Sequence, residues 1–423
     1  MKQYRTRIAD EILRDYLEAH GAVLVEGPKW CGKTTTAARQ AGSVLYMQDP
    51  EFVQRNLELA EIHPSKLLEG KVPHLIDEWQ MAPQLWDAVR FAVDQRDEFG
   101  QFILTGSVTP PDTSRIHHSG AGRIARMKMR TMSLYESGDS SGDVSLKELF
   151  DGQEPTGQAN LNIDRLAYLI CRGGWPRALD CSEKAALRQA PAYYNTVLQA
   201  EMQGADGTRR ASARVERLLR AYARAVASQT SLPALVEDMK AHEAQALDAG
   251  SISSYIDILK KIFVIEESEA WNPNLRSKTA IRTSNTRYFS DPSIGTAALG
   301  ITPRDLVADL NTMGLYFENL CVRDLRTYAD AQGGRVYHYR DKNGLECDAV
   351  IHLQNGSFGL VEIKLGGAQN IETGAANLLK LESNLNTARM KAPAFKMVLT
   401  GTETLAYRRQ DGVLVVPIGA LRD

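Results

Sequence analysis

The chain has 423 residues, of which 43% are hydrophobic and 24% are charged. These fractions are typical of soluble globular proteins and exclude a disordered chain or a coiled coil, while the length predicts two to four domains of roughly 100–200 residues each. The formal net charge of −2 argues against a uniformly basic DNA-coating protein, so only local basic segments are candidate nucleic-acid surfaces.

The five cysteines indicate a reducing compartment. Their number is odd and they form no CxxC pair, which disfavours a disulfide framework and a zinc site. The N-terminal stretch MKQYRTRIADEILRDYL is interrupted by acids, unlike a signal peptide, and no apolar run approaches the ~18 residues of a membrane span. We therefore expect a soluble, cytoplasmic protein that does not act at a membrane.

A nucleotide site is predicted by the stretch AVLVEGPKWCGKTTTAARQ. An apolar run precedes a Gly-rich loop that fits G-x-x-x-x-G-K-[ST], and a helix-prone segment follows it. In this motif the backbone N–H groups cradle the phosphates, Lys33 reaches the β- and γ-phosphates, and the Thr34 hydroxyl binds Mg²⁺. This context favours an ATP site over a chance match. The expected ATP-binding residues are Gly27, Pro28, Lys29, Gly32, Lys33, Thr34 and Thr35.

Two further apolar strands end in side chains that suit the same site. The stretch VPHLIDEWQ ends its strand in Asp77, which would complete the Mg²⁺ shell, and Glu78, which would orient the attacking water. An ordinary strand-end turn is the alternative, but the position about 45 residues after the P-loop favours the ATPase interpretation. The strand in QFILTGSV ends in Thr105 and Ser107, and either hydroxyl could bind the γ-phosphate or the water.

Arginines downstream of the third strand are candidate partners of the γ-phosphate. Arg123 and Arg126 lie in HHSGAGRIARMKMR, and a guanidinium near the γ-phosphate stabilises transition-state charge, usually from the neighbouring subunit in ring ATPases. The alternative is that both arginines pair with surface acids. In RGGWPRALD, Arg177 could be a lid arginine that reaches back to the nucleotide.

The middle of the chain contains two basic segments. The helix predicted by RRASARVERLLRAYARAVA has arginines on one side, and the two helices that follow suit a helix-turn-helix or winged-helix unit. A hairpin-like segment between Glu269 and Asp291 contains four cations and no acid. We expect DNA contact here, with a solvated face or a protein-protein joint as the alternatives. The expected DNA contacts are Arg210, Arg214, Arg217, Arg276, Lys278, Arg282 and Arg287.

In the C-terminal third of the chain, the sequence pattern predicts a helix followed by three strands. The first two strands flank an Asn-Gly turn, which is typical of a hairpin, and the third is SFGLVEIKLGG. Side-chain alternation places Glu362 and Lys364 on one face of the third strand. Asp348 on the second strand can meet them if the strands are neighbours. The alternative is that these are solvent-facing polar residues of ordinary strands.

The order of P-loop, acid pair, LTGS strand, AGR arginine and GGWPR lid resembles the prokaryotic AAA-type (AAA+) ATPases that carry a C-terminal domain of unknown function. The GxPR of the lid is also similar to the sensor-2 motif of Holliday-junction branch-migration motors. The resemblance covers nearly the whole chain. It implies that Thr105 or Ser107 is sensor 1. It also implies that Arg123 is the arginine finger and Arg177 is sensor 2.

The C-terminal helix and strands are similar to the PD-(D/E)xK nuclease arrangement, with Cys347 in the place of the proline. This resemblance implies that Asp348 and Glu362 hold Mg²⁺ and that Glu318 completes the shell. Lys364 would then position or activate the water that attacks a phosphodiester. Cleavage itself is left open, because such folds are also retained for binding.

We therefore expect an α/β multidomain protein. Its predicted parts are an AAA+ P-loop ATPase core over 1–155, a helical lid over 156–205, a winged-helix-like module over 206–300 and a restriction-endonuclease-like PD-(D/E)xK domain over 301–423. The leading hypothesis is a homo-oligomeric, hexameric ring that hydrolyses ATP with Mg²⁺ between subunits and remodels or translocates on DNA, with branched DNA as one candidate. The alternatives are an ATP-gated, metal-dependent DNA nuclease and a nucleotide-switched scaffold that binds a protein partner.

Overall fold

The computed structural model describes residues 4–106, 120–200, 209–242, 249–272, 284–385 and 390–423. By its internal contacts the chain divides into two units. The first comprises Met1–Thr131 with Lys261–Phe263, and the second comprises Met132–Lys260 with Val264–Asp423.

The first unit is built around one parallel sheet. Its elements in chain order are α1 (Ile8–Ala19), β1 (Ala22–Glu26), α2 (Lys33–Gln40), β2 (Ser43–Tyr46), α3 (Val53–Ile62), β3 (His74–Asp77), α4 (Leu85–Arg96), β4 (Phe102–Gly106) and β5 (Ile124–Lys128). The strand order is β2-β3-β4-β1-β5, and every neighbouring pair is parallel. The carboxyl ends of all five strands therefore meet at one edge, where open parallel sheets bind their ligands.

Apolar clusters lie on both faces of this sheet. Because side chains alternate along a strand, Val23 and Val25 of β1 belong to one cluster with Leu13 of α1, whereas Leu24 belongs to another with Leu85 of α4. Strands buried on both faces read as near-continuous apolar runs. This explains why the P-loop strand and the strands that end in the acid pair and in LTGS are recognisable in the sequence.

The second unit contains a larger mixed sheet and most of the helices. Its helices are α5 (Leu134–Ser137), α6 (Leu146–Phe150), α7 (Ile163–Arg172), α8 (Glu183–Ala186), α9 (Gln189–Ala200), α10 (Arg209–Arg224), α11 (Leu232–His242), α12 (Ala249–Lys261), α13 (Pro292–Leu299), α14 (Pro303–Ala308), α15 (Leu310–Asp330) and α16 (Ala368–Asn384). Its strands are β6 (Val144–Ser145), β7 (Gly157–Gln158), β8 (Gly334–Arg340), β9 (Glu346–Leu353), β10 (Phe358–Lys364), β11 (Phe395–Thr400), β12 (Leu405–Arg408), β13 (Leu414–Pro417) and β14 (Leu421–Arg422).

The mixed sheet has seven strands in the order β7-β12-β13-β11-β10-β9-β8. Strand β9 is antiparallel to both β8 and β10, while β11 is parallel to both β10 and β13. Helix α16 packs on one face, with Ala375 and Leu378 in the same apolar cluster as Val350, Leu360 and Val398 of the strands. The antiparallel pairing of β9 with β10 makes Asp348 and Glu362 near neighbours.

Residues 132–155 lie in the second unit, although the sequence predicted them at the end of the ATPase core. The reason is strand pairing: β6 is parallel to β14, and β7 is antiparallel to β12. Both partners come from the last 20 residues or so of the described chain, and no local sequence pattern reports such a pairing. The predicted four-domain division stays a prediction.

Three helices and a short ladder occupy the region of the predicted winged-helix-like module. Helices α10, α11 and α12 are followed by antiparallel bridges that join Ile265 to Phe289 and Ser268 to Thr286. The segment 273–283, between the two sides of this ladder, lies outside the described residues, as do Arg276, Lys278 and Arg282. The winged-helix assignment stays a prediction.

Within the described ranges, no helix is both long enough and apolar enough to cross a membrane.

Candidate functional site

The P-loop lies between β1 and α2 and is shaped by two glycines. Gly27 has a φ of 156°, and a Cβ there would collide with the main-chain carbonyl of Met129. Gly32 has a left-handed φ of 104° at the N-cap of α2, a conformation that favours glycine. Both glycines are therefore needed for the loop to pack against the segment after β5 and turn directly into the helix.

The ammonium group of Lys33 lies inside this loop. Lys33 is buried, and its Nζ donates to the main-chain oxygens of Gly27 at 2.9 Å and Pro28 at 2.8 Å. In P-loops the lysine at this position reaches the β- and γ-phosphates. Among the other predicted ATP-binding residues, Lys29 is half-buried, and Thr35 is exposed in the first turn of α2.

Asp77 is the hydrogen-bonding centre of the site. Its Oδ1 accepts from the Thr34 hydroxyl at 2.7 Å and from the Thr105 hydroxyl at 2.5 Å, and its Oδ2 accepts from Gln48 Nε2 at 2.7 Å. The pairing of β3 with β4 sets Asp77 opposite Thr105. Asp77 is 2% exposed, so the three donors stabilise a buried carboxylate. Gln48 follows β2 and was not expected from the sequence.

Glu78 has an unusual backbone for a non-glycine residue. Its φ and ψ are 56° and 43°, in the left-handed region, and it begins a short 3₁₀ turn over Trp79–Met81. Such conformations are strained and concentrate at functional sites. The Glu78 carboxylate accepts a hydrogen bond from Gln80 Nε2, the second contact that the sequence did not predict.

Arg123 and Arg126 both pair with acids of the same unit, which is the alternative that the sequence left open. Arg123 Nε lies 2.7 Å from Asp94 of α4, and Arg126 lies 3.1 Å from Glu26. The hydrogen bond from Arg123 lowers the pKa of Asp94. A role for Arg123 at a neighbouring subunit stays a prediction. So does the sensor-2 role of Arg177, which is exposed in the second unit, and Ser107 lies outside the described residues.

Arg7 is a supporting residue that no motif indicated. It precedes α1 and is 4% exposed. Its guanidinium donates to the main-chain oxygen of Cys31 in the P-loop at 2.8 Å and to that of Arg130 at 3.0 Å. Arg7 thereby ties the P-loop to the chain that leaves β5. Only the tertiary fold brings these three segments together.

Lys33→Ala is expected to weaken ATP binding roughly 10- to 150-fold, the loss typical of one hydrogen bond to a charged group. The reason is that the variant removes the ammonium from the loop without altering the glycines that shape it. Titration with a fluorescent ATP analogue measures the change. Lys66→Ala, which removes an exposed lysine paired with Glu69 outside the loop, serves as the control, and equal losses in the two variants would contradict the special position of Lys33.

The second unit brings together the residues predicted as a nuclease-like site. Lys364 Nζ lies 2.6 Å from Glu362 and 3.2 Å from Asp348. Asp348 also accepts the main-chain N–H of Ile363 at 2.7 Å. Glu318 of α15 accepts from the Tyr288 hydroxyl at 2.5 Å.

Burial governs the protonation of this cluster. Burial and the nearby Asp348 raise the pKa of Glu362 to about 8, and they also raise the pKa of Glu318 well above its usual value. Burial opposes the charge of Lys364, but Asp348 and Glu362 outweigh it and raise its pKa. The single positive charge of Lys364 therefore offsets one negative charge of the two strand acids, and the raised pKa of Glu362 favours the protonated form of that acid near neutral pH. Within the part of the chain that the structure describes, no three His, Cys, Asp or Glu side chains are grouped as metal ligands.

The predicted DNA contacts differ in their surroundings. Arg214 on α10 is exposed and Arg217 is half-buried, while the side chain of Arg210 lies outside what is described. The prediction for Arg287 was wrong. Arg287 is 6% exposed, and its guanidinium is bonded to Glu267 at 2.8 Å and to the Thr230 carbonyl at 2.7 Å. A run of cations does not reveal which of them the fold buries against an acid.

Comparisons with known proteins divide the chain into three matched regions. Residues 19–137 match the AAA domain family, residues 163–305 match a domain of unknown function (DUF8612), and residues 313–421 match another (DUF4143). The uncharacterized proteins Rv2008c of Mycobacterium tuberculosis and Mb2031c of Mycobacterium bovis are each 24% identical to the chain over 364 residues. These alignments cover 83% of this chain and 72% of each relative.

Two solved structures are also similar. The Walker-type ATPase Paby2304 of Pyrococcus abyssi has 15% identity and a TM-score of 0.43, over 69% of this chain and 94% of that one. A structure of Drosophila ORC bound to DNA has 15% identity and a TM-score of 0.18, over 69% and 85%. Both scores are too low to indicate a shared overall fold. The family match and the P-loop geometry inside it show that residues 19–137 carry a P-loop ATPase domain of the AAA type.

Proposed function

We propose that this protein uses ATP hydrolysis to remodel DNA or to translocate on it, and that it forms a ring in which ATP is hydrolysed between subunits. The observation that carries the ATPase part is the meeting of Thr34 and Asp77 beside Lys33 at the carboxyl end of the parallel sheet. A hydroxyl and a carboxylate are the hard oxygen ligands that Mg²⁺ prefers. These residues fit the ion, and when bound it would neutralise charge on the β- and γ-phosphates.

Each residue of the site in the first unit has a separate role in ATP hydrolysis. Lys33 binds phosphate oxygens, and Thr34 and Asp77 would hold Mg²⁺. Glu78 orients the attacking water and receives its proton. Thr105 holds Asp77 in place through its 2.5 Å hydrogen bond.

The surface position of Arg123 supports hydrolysis between subunits. Its side chain is 48% exposed, and its partner Asp94 is 31% exposed. An exposed ion pair contributes little to stability, because water and salt screen it. Arg123 can therefore leave Asp94 for the γ-phosphate of a neighbouring copy at small cost.

Action on DNA rests on α10 and the helices after it. Arg214 is exposed, and among the described residues no ion pair joins it to an acid. Arg220 and Arg224 on the same helix are instead bonded to Glu216 and Asp238. We expect only unneutralised arginines of this kind to contact phosphates.

Arg214→Ala is expected to weaken DNA binding. It should also reduce the slope of log K for DNA binding against log salt concentration by about one, as expected for the loss of one phosphate contact. The matched control is Arg220→Ala, which removes an arginine already paired with Glu216. Binding is measured at several salt concentrations with duplex, single-stranded and four-way-junction DNA, with ATP turnover followed in parallel. If none of these DNAs binds in low salt or changes turnover, the DNA part of the proposal is wrong.

A second candidate, metal-dependent cleavage of DNA, is favoured by the cluster of Asp348, Glu362 and Lys364. The two acids supply oxygen ligands suited to Mg²⁺, but no third acid is grouped with them among the described residues, and a cation would have to displace the Lys364 ammonium that pairs with both. This candidate predicts that DNA incubated with Mg²⁺ or Mn²⁺ is cut and that Glu362→Ala abolishes the cutting. Cleavage that persists in Glu362→Ala would assign the activity elsewhere.

A further inference from the structure

The side chain of Gln80 connects the proposed water-orienting acid to the end of the neighbouring strand. Its Nε2 donates a hydrogen bond to Oε2 of Glu78, two residues earlier. Both residues are half-buried, and they lie at the carboxyl end of β3. The contact is thus made at the edge of the sheet where ATP is expected.

The other end of the same amide lies against β4. A Cβ built on Gly106 would come within 2.6 Å of Gln80 Oε1, so this oxygen faces the residue directly after Thr105. The oxygen is buried and accepts no hydrogen bond from any residue that the structure describes. In the described part of the chain, the bond to Glu78 is therefore the one hydrogen bond of the Gln80 side chain.

The local backbone fixes the distance between the two side chains. Glu78 is left-handed, and the turn after it is closed by bonds from Met81 N to Glu78 O and from Ala82 N to Trp79 O, both 3.0 Å long. Trp79 anchors the turn, since it is 3% exposed and its ring centroid lies 5.2 Å from that of Trp86. Gln80 is consequently held at a fixed spacing from Glu78.

The chemistry of an amide makes this contact specific. The NH₂ group of glutamine only donates, and an ionised carboxylate only accepts. Gln80 uses its donor on the proposed catalytic acid.

We propose that Gln80 is a positioning residue for ATP hydrolysis, which holds the Glu78 carboxylate in the orientation needed to direct the attacking water. The inference rests on the ATPase function proposed above. Because Gln80 acts through Glu78 and does not contact the phosphates, its removal lowers kcat and leaves ATP binding unchanged. It also has no effect once Glu78 has lost its function, since residues that act as a unit are not additive.

The test measures kcat and KM for ATP in the full chain with Gln80→Leu, which removes the amide at similar size. Gln80→Glu is a second variant of the same length that lacks the donor, in case the leucine disturbs folding. Gln84→Leu is the matched control, because it makes the same change four residues later without a bond to Glu78. Glu78→Gln and the double variant Glu78→Gln with Gln80→Leu complete the set, and each variant is titrated with a fluorescent ATP analogue.

Both Gln80 variants are expected to lose about tenfold or more in kcat, with KM and analogue affinity within about twofold of the unsubstituted chain. The double variant should turn over no more slowly than Glu78→Gln alone. An unchanged or increased kcat in both Gln80 variants, or a further loss in the double variant, would overturn this inference alone. If the unsubstituted chain hydrolyses no ATP, the proposed function fails and this inference fails with it.

Discussion

Glu78→Gln is expected to bind ATP as well as the unsubstituted chain and to hydrolyse it roughly 10²- to 10⁴-fold more slowly, the range that a positioned general base contributes. Glutamine has nearly the same size as glutamate, so we expect the left-handed turn after β3 to keep its conformation in the variant. It lacks the carboxylate that would direct the attacking water. The binding residues Lys33 and Thr34 are untouched, so affinity should not fall.

Single-turnover hydrolysis separates these two effects, because it follows chemistry after binding is complete. ATP that is retained but not cleaved is the expected result. The control is Glu51→Gln, which makes the same change at an exposed glutamate before α3. Turnover by Glu78→Gln at the rate of that control would assign the water-directing role to another residue.

The second large effect is expected at Arg323, which is 2% exposed in the second unit. Its guanidinium lies 3.0 Å from Asp291 and 2.7 Å from Asp324, and both acids are fully buried. Arg323→Met keeps an unbranched apolar stem but removes the guanidinium that pairs with the two buried acids. Breaking a buried ion pair in this way costs about 3–5 kcal/mol of unfolding free energy.

This loss should depend on pH, and its sign follows from Asp324. Burial raises the pKa of Asp324 to about 6 even though Arg323 and the N–H of Leu134 oppose the shift. Without the guanidinium the pKa rises further, so the folded variant holds a proton that the unfolded chain has released. Its unfolding free energy then falls as pH rises. The deficit of the variant should therefore be smaller near pH 5 than near pH 8.

Hydrogen exchange of peptides from α15 in a urea series measures this stability within the second unit. The control is Arg408→Met, which removes an exposed ion pair with Glu154. We expect that control to change stability by about 1 kcal/mol or less. Equal losses in the two variants, or a deficit that shrinks as pH rises, would contradict the role of the buried cluster.

The sequence predicted best what depends on short, local patterns. The P-loop, the acid pair and the LTGS strand each consist of a buried strand followed at once by functional residues, and a parallel sheet gathers such strand ends at one edge. The mixed α/β fold with a P-loop domain of the AAA type is confirmed. The roles of the individual site residues stay predictions.

What the sequence did not predict depends on tertiary contact. Gln48 and Arg7 reach Asp77 and the P-loop only because the fold brings separate segments together. The burial of Arg287 against Glu267 was missed for the same reason. Charge runs along a chain show how many cations are present, whereas only packing decides which of them face solvent.

The pairing of residues 144–158 with the C-terminal strands has a consequence for synthesis on the ribosome. Ser140, for example, donates to the carbonyl of Leu421, 281 residues later. The parallel sheet of the first unit uses only strands before residue 131, so it can form while most of the chain is still being made. Strands β6 and β7, within residues 144–158, instead stay unpaired until their partners β14 and β12 have left the ribosome. These strands are thus the first of the second unit to be translated and among the last to acquire their native neighbours.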